Sequence, residues 1–175
     1  MDVVDFQNNL DNYNDIVTQH YTSTVDLVNQ LVGGFNIISL NIRSLKKHFD
    51  ELILLILHDL KGLLDVVILT ETWSDEASNI PHIDGYNVFS THRSVSRADG
   101  VVVYVREKLQ PHAIEYPVID CNCLRLDISV DGRPLTIICV YRSQSITDVF
   151  PFLESISHFL SHNTHQKRVI SISIS

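Results

Sequence analysis

From Phe35 onward the chain is built of short apolar runs separated by polar turns. Phe35 to Asn41 (FNIISLN) predicts a strand, because β-branched and aromatic residues dominate a run of strand length. Ser44 is placed to cap a helix reaching about Gly62, with Phe49, Leu52, Ile53, Ile56 and Leu60 recurring at helical spacing on one face. Asp65 to Thr70 (DVVILT) is nearly continuous in apolar residues, the pattern of a strand covered on both faces. Further strands are expected at Tyr86 to Ser90, Val101 to Arg106, Leu124 to Val130 and Leu135 to Tyr141. Asp131-Gly132 between the last two is a hairpin signal. Thr147 to His162 predicts a second helix, with Val149, Phe152, Leu153, Ile156, Phe159 and Leu160 inward. Val169 to Ser175 alternates apolar residues with serine and predicts a final strand. Strands with two intervening helices describe a layered α/β domain.

Residues 1 to 34 differ in character. They hold Asp2, Asp5, Asp11, Asp15 and Asp26 and no lysine or arginine. Val3, Phe6, Leu10, Tyr13, Ile16 and Val17 fall at helical spacing, so this acidic leader is expected to be weakly helical until Gly33-Gly34 interrupts it. The domain proper is expected over residues 35–175. No internal repeat and no low-complexity tract is present.

Composition narrows the class. A chain of 175 residues, 45% hydrophobic and 19% charged, is long enough to bury roughly 70% of its unfolded surface. The longest apolar run, Leu52 to Leu57, is too short to span a bilayer, and the N-terminus lacks the pattern of a signal peptide. An intracellular chain, in cytoplasm or nucleus, is therefore expected. The net charge of −8 argues against a general nucleic-acid coat, yet permits a nuclease whose phosphate contacts are local. Cys121, Cys123 and Cys139 are too few for a structural zinc site and are expected to be buried, reduced thiols. His158, His162 and His165 share one helix face but have no carboxylate or cysteine partner, and are expected to be solvated.

Three polar residues close predicted apolar strands: Asn41 after NIISL, Glu71 after VVILT, and Tyr141 after TIICV. Strand ends are where α/β proteins gather ligands, because loops there can be polar on a rigid scaffold. The carboxylate suits a hard divalent cation, and the amide and phenol can hold phosphate oxygens or water. Each residue alone is as readily explained as surface or core edge.

The strings NIISLNIRSL, VVILTETW, GYNVFSTHRS, DGVVVYV and LTIICVYRS, in that order, resemble the endonuclease domain of non-LTR retrotransposons. That domain is of the endonuclease/exonuclease/phosphatase superfamily, with the apurinic/apyrimidinic endonucleases and DNase I-type nucleases. The resemblance runs from about Phe35 to Val169. It implies a DNase I-like four-layer α/β sandwich, of which this chain would supply mainly the first sheet and its helices. It implies that Asn41 organises the metal and the attacking water, that Glu71 ligates Mg²⁺ (or Mn²⁺), and that Tyr141 contacts the scissile phosphate of DNA. His92 and Arg93, in the HRS string, are candidates for touching substrate phosphate.

The sequence departs from the family where the last predicted strand should end in Gly-Asp-x-Asn. It reads Ser171-Ile172-Ser173-Ile174-Ser175 instead, and the later Ser-Asp-His ending is absent. A neutral serine neither ligates Mg²⁺ as a carboxylate does nor activates water. Losing groups that act as a unit costs on the order of 10⁴ to 10⁶ in rate, so a C-terminally truncated, inactive fragment is expected. An uncovered sheet face is expected to favour self-association. Two other classes stay open: another phosphodiesterase or phosphatase of the superfamily, and a non-enzymatic module binding nucleic acid or protein. The LNIRSL and VYR strings favour the DNA-nicking branch.

Overall fold

A computed structural model describes residues 33–74, 80–91, 99–143, 146–161 and 168–174, with 28, 29 and 31 ahead of them; over 168–174 only the backbone is described. Nearly all of the acidic leader therefore lies outside the described residues, as do His92, Arg93, His162 and His165.

Two four-stranded sheets face each other. The first has the order β1 (Ile37–Asn41), β2 (Val66–Thr70), β4 (Val101–Arg106), β3 (Tyr86–Ser90). The second has β5 (His112–Glu115), β6 (Asn122–Val130), β7 (Arg133–Arg142), β8 (Arg168–Ile174). β1 pairs with β2 in parallel, and β8 pairs in parallel with β7; the other neighbours are antiparallel. The layered sandwich expected from the sequence is thus observed, but the chain's share of it is larger than expected, with four strands in each sheet. The last strand has a partner along its whole length, from Thr136 opposite Arg168 to Arg142 opposite Ile174.

Alternation along the strands divides the chain into three apolar clusters. Val66, Ile68, Val101, Val103 and Val105 of the first sheet meet Leu124, Leu126, Ile128, Ile137, Cys139 and Tyr141 of the second. The expectation of an uncovered, self-associating sheet face loses its basis, because the second sheet covers that face. The alternate residues Val67, Leu69, Val102 and Tyr104 pack outward on Leu45, Leu52, Ile56 and Leu60. Ile138, Val140 and Cys123 pack outward on Phe152, Ile156 and Phe159. Helix, sheet, sheet and helix follow one another as four layers.

Helix α1 spans Leu45–Ile53, and the Ser44 side chain accepts from Lys47 N–H at its start. The chain then widens into a π-helical segment, Leu54–Asp59. That segment keeps Leu52, Ile56 and Leu60 on the sheet while an unbroken apolar run leaves Leu54 and Leu57 exposed. Helix α2 spans Phe150–Ser161, three residues later than its periodicity predicts. Pro151 explains the start: with no N–H and a fixed φ, it fits the first turn, where a donor would lack an intrahelical acceptor. The Asp148 carboxylate accepts from Phe150 N–H at 3.1 Å.

The strand missed from sequence is β5. Its four residues lie between Pro111 and Pro117 and alternate in burial, too short a stretch to stand out as a period. The three cysteines are free and buried, as expected. Burial pushes the Cys121 and Cys139 thiols up to about 12 and raises Cys123 as well. Among the described residues no helix is long and apolar enough to cross a membrane.

Candidate functional site

The parallel pairing of β1 with β2 brings their carboxyl ends together, Asn41 opposite Thr70. Phe35 and Ile37 pack on the inter-sheet cluster and Ile38 and Leu40 on the helical one. By alternation Asn41 therefore continues the inter-sheet face. Glu71, one residue past β2, would in an extended chain share the helical face of Val67 and Leu69. It instead turns to φ 54°, which takes it out of that alternation. Its carboxylate Oε1 accepts from Asn41 Nδ2 at 2.7 Å.

The turn around Glu71 is held from both sides by backbone bonds. Ser44 N–H donates to Glu71 O at 2.8 Å and Leu45 N–H to Thr72 O at 2.9 Å. Thr72 N–H donates to Gly100 O and Trp73 N–H to Asp99 O at 3.0 Å. Arg43, Ser44, Glu71 and Trp73 all have positive φ, each costing about 1–3 kcal/mol for a residue with a side chain. Gly100 has φ +113°, and a Cβ there would come within 2.5 Å of Thr72 Oγ1. Only glycine lets that backbone approach the Glu71–Trp73 turn so closely.

Tyr141 lies on the second sheet with its ring in the inter-sheet cluster, 2% exposed. Which end of the sandwich it occupies follows from a groove of about 300 Å³. That groove joins Gly33–Phe35 and Asp65, before β1 and β2, to Ser129–Asp131 at the start of β7. The amino ends of β1, β2 and β7 thus share one end of the molecule. Their carboxyl ends, carrying Asn41, Glu71 and Tyr141, share the other.

Sequence reasoning missed Asn122. It stands directly opposite Tyr141 in the β6–β7 register and is 1% exposed. Neither of its side-chain amide atoms has a hydrogen-bond partner among the described residues, and the hydroxyls of Thr70 and Thr72 are in the same position. A buried amide without a partner is rare, because it forfeits its bonds to water without replacement. The signal in sequence is an asparagine between two cysteines at the head of an apolar strand, which looks like a turn residue. Arg142, from the VYR string, faces the other way. Its guanidinium donates to Ile146 O and Asp148 O and lies 5.5 Å from the Phe152 ring centroid, fixing the approach to α2.

The donor set for a divalent metal is small. Among the described residues no three His, Cys, Asp or Glu side chains cluster. One carboxylate still fits Mg²⁺, which keeps several waters and is commonly held by one or two carboxylates plus substrate phosphates. A shallow groove of about 300 Å³ opens beside Asn41, lined on its other side by His48, Glu51, Leu52 and Leu55. The His48 Nδ1–Glu51 Oε2 pair spans 2.8 Å within it.

No protein-family model and no curated protein matches the chain. Solved structures do. The endonuclease domain of TRAS1, a telomere-specific non-LTR retrotransposon, matches at 13% identity and a TM-score of 0.57, over 79% of this chain and 58% of that one. An endonuclease/exonuclease/phosphatase family protein from Leptotrichia buccalis matches at 12% identity and a TM-score of 0.53, over 79% and 66%. D. rerio TDP2, complexed with a single-strand DNA product, matches at 13% identity and a TM-score of 0.50, over 80% and 59%. The fold is that of the endonuclease/exonuclease/phosphatase proteins, and the chain spans about three-fifths of the length of these structures.

Proposed function

We propose that this chain supplies the metal-binding part of a Mg²⁺- or Mn²⁺-dependent phosphodiesterase centre acting on DNA, of the kind in non-LTR retrotransposon endonucleases. The observation that carries the reading is the 2.7 Å bond from Asn41 to Glu71, at the end of the sandwich where Tyr141 stands on the facing sheet. Glu71 is the residue that would hold the metal, and a bound divalent ion there would supply positive charge to phosphoryl oxygens. Asn41 fixes the Glu71 carboxylate, so that less rotamer freedom is lost on binding. Tyr141 donates its phenol hydrogen to a phosphate oxygen, and its buried setting strengthens that bond by excluding water.

DNA as substrate is supported by two of the similar structures, a retrotransposon endonuclease and a complex with a single-strand DNA product. With Ser171 and Ser173 on the strand where the resembled family carries Asp and Asn, this polypeptide is expected to bind a phosphodiester and cleave it negligibly. The test is anisotropy of a labelled nicked duplex in Ca²⁺, against EDTA, Glu71→Gln and Asn41→Ala. The reading expects metal-dependent binding that both substitutions weaken at least several-fold. Binding indifferent to EDTA and to Glu71→Gln would make the protein a metal-independent binding module and overturn it. Relaxation of supercoiled plasmid by the same chain, abolished in Glu71→Gln, would overturn the expectation of inactivity alone.

A further inference from the structure

Two residues beyond Glu71 stands Trp73, the single tryptophan of the chain, and it is 46% exposed. A lone half-exposed indole is ordinary on a protein surface. What sets this one apart is its backbone: φ is 53°, a region that a bulky side chain rarely adopts. The position is nonetheless fixed, by Trp73 N–H on Asp99 O and by the Thr72 bonds to Gly100 and Leu45.

On a chain whose net charge is −8, the loop tied to this turn carries three cations. Arg43, Lys46 and Lys47 are exposed on the loop and first turn of α1. That loop is stitched to the Trp73 turn by Ser44 N–H on Glu71 O and Leu45 N–H on Thr72 O. None of the three cations forms an ion pair with another described residue. An exposed indole with a fixed backbone, tied to a loop of exposed cations, is an arrangement suited to a single strand, with a base on the ring and phosphates on the cations.

We propose that Trp73 is a stacking platform for a nucleobase flanking the phosphodiester, with Arg43, Lys46 and Lys47 holding the adjoining backbone. The inference rests on the phosphodiester reading and deepens it. It makes the ligand a nucleic-acid strand bearing bases, as opposed to a lipid or small phosphoester.

The single tryptophan makes the test direct. The intact chain in Ca²⁺ is titrated with octathymidylate and with an abasic strand of the same length, following intrinsic fluorescence and the anisotropy of a label on the strand. Quenching by the thymine strand alone is expected, with tighter binding of that strand. Trp73→Ala should weaken thymine-strand binding by about 5- to 100-fold, the range of one base–aromatic stack, and leave abasic-strand binding unchanged. Trp73→Phe should restore part of the difference. Lys46→Gln with Lys47→Gln should weaken both strands alike and lower the salt dependence. If both strands bind equally and neither quenches, the platform is refuted while the phosphodiester reading stands. If neither strand binds, both are refuted.

Discussion

Replacing Asn122 with leucine should make the protein more stable. The side chain is 1% exposed, lies opposite Tyr141, and carries an amide whose oxygen and nitrogen both lack partners among the described residues. Burying such a group unsatisfied costs about 1–3 kcal/mol. Leucine has nearly the same shape and no polar atoms, so Asn122→Leu removes that penalty and creates little strain. A gain of about 1–3 kcal/mol corresponds to a rise of roughly 2–12 °C in Tm for a domain of this size. Urea and thermal melts followed by circular dichroism give the number, and an unchanged urea m-value assigns it to stability. The same variant should bind the nicked duplex more weakly, since a buried amide kept at a cost beside Tyr141 is of the kind reserved for a ligand. A loss of 1 kcal/mol or more on Asn122→Leu would refute the reasoning, because the amide would then have a bonding partner that its surroundings do not reveal.

Two other predictions concern the turn and the thiols. Gly100→Ala should cost about 2–3 kcal/mol in urea melts, because its Cβ would meet Thr72 Oγ1 at 2.5 Å with φ at +113°. It should also weaken metal binding, since Thr72 joins Glu71 to Trp73. The buried thiols should resist a disulfide reagent in the native state and react fully in urea. Burial raises the Cys121 and Cys139 thiols from 9.0 to about 12, so between those values the folded chain holds protons that the unfolded chain has lost. Stability from this source is therefore full below about pH 9 and falls as pH rises from there toward 12. Melts at pH 8 and 10 should show the decline, and a Cys139→Ala variant should show less of it.

The fold was legible wherever one period dominated a segment. DVVILT and VVVYVR are apolar on both faces because helices lie outside the first sheet and the second sheet lies inside it. Phe49, Leu52, Ile53, Ile56 and Leu60 formed one helical face because the segment packs on that sheet along its length. The π-helical turn at Leu54–Asp59 was not legible, since one extra residue per turn leaves the apolar run unchanged in composition. β5 escaped because four residues between prolines carry too few alternations to register. Membership of the second sheet could not be read either, because sheet assignment depends on pairing between distant segments.

The candidate site was partly legible. Asn41 and Glu71 stand out as polar residues closing apolar strands, and their mutual hydrogen bond depends on the parallel β1–β2 register. What redirects Glu71 toward Asn41 is a backbone turn to positive φ, which ETW does not announce. Asn122 was invisible because its significance lies in the absence of partners, a property of the packed interior. His92 and Arg93, singled out beside the HRS string, lie outside the described residues, and their part in phosphate contact stays a proposal.

The central claim is that Glu71, held by Asn41 and faced by Tyr141, binds a divalent metal. Paramagnetic broadening of backbone amide signals during a Mn²⁺ titration tests it most directly. The account predicts early, selective loss of the signals of Asn41–Ser44 and Glu71–Trp73, followed by Asn122 and Tyr141, with none of this in Glu71→Gln. Broadening centred on other carboxylates, such as Asp127 or the acidic leader, and unchanged in Glu71→Gln, would contradict it.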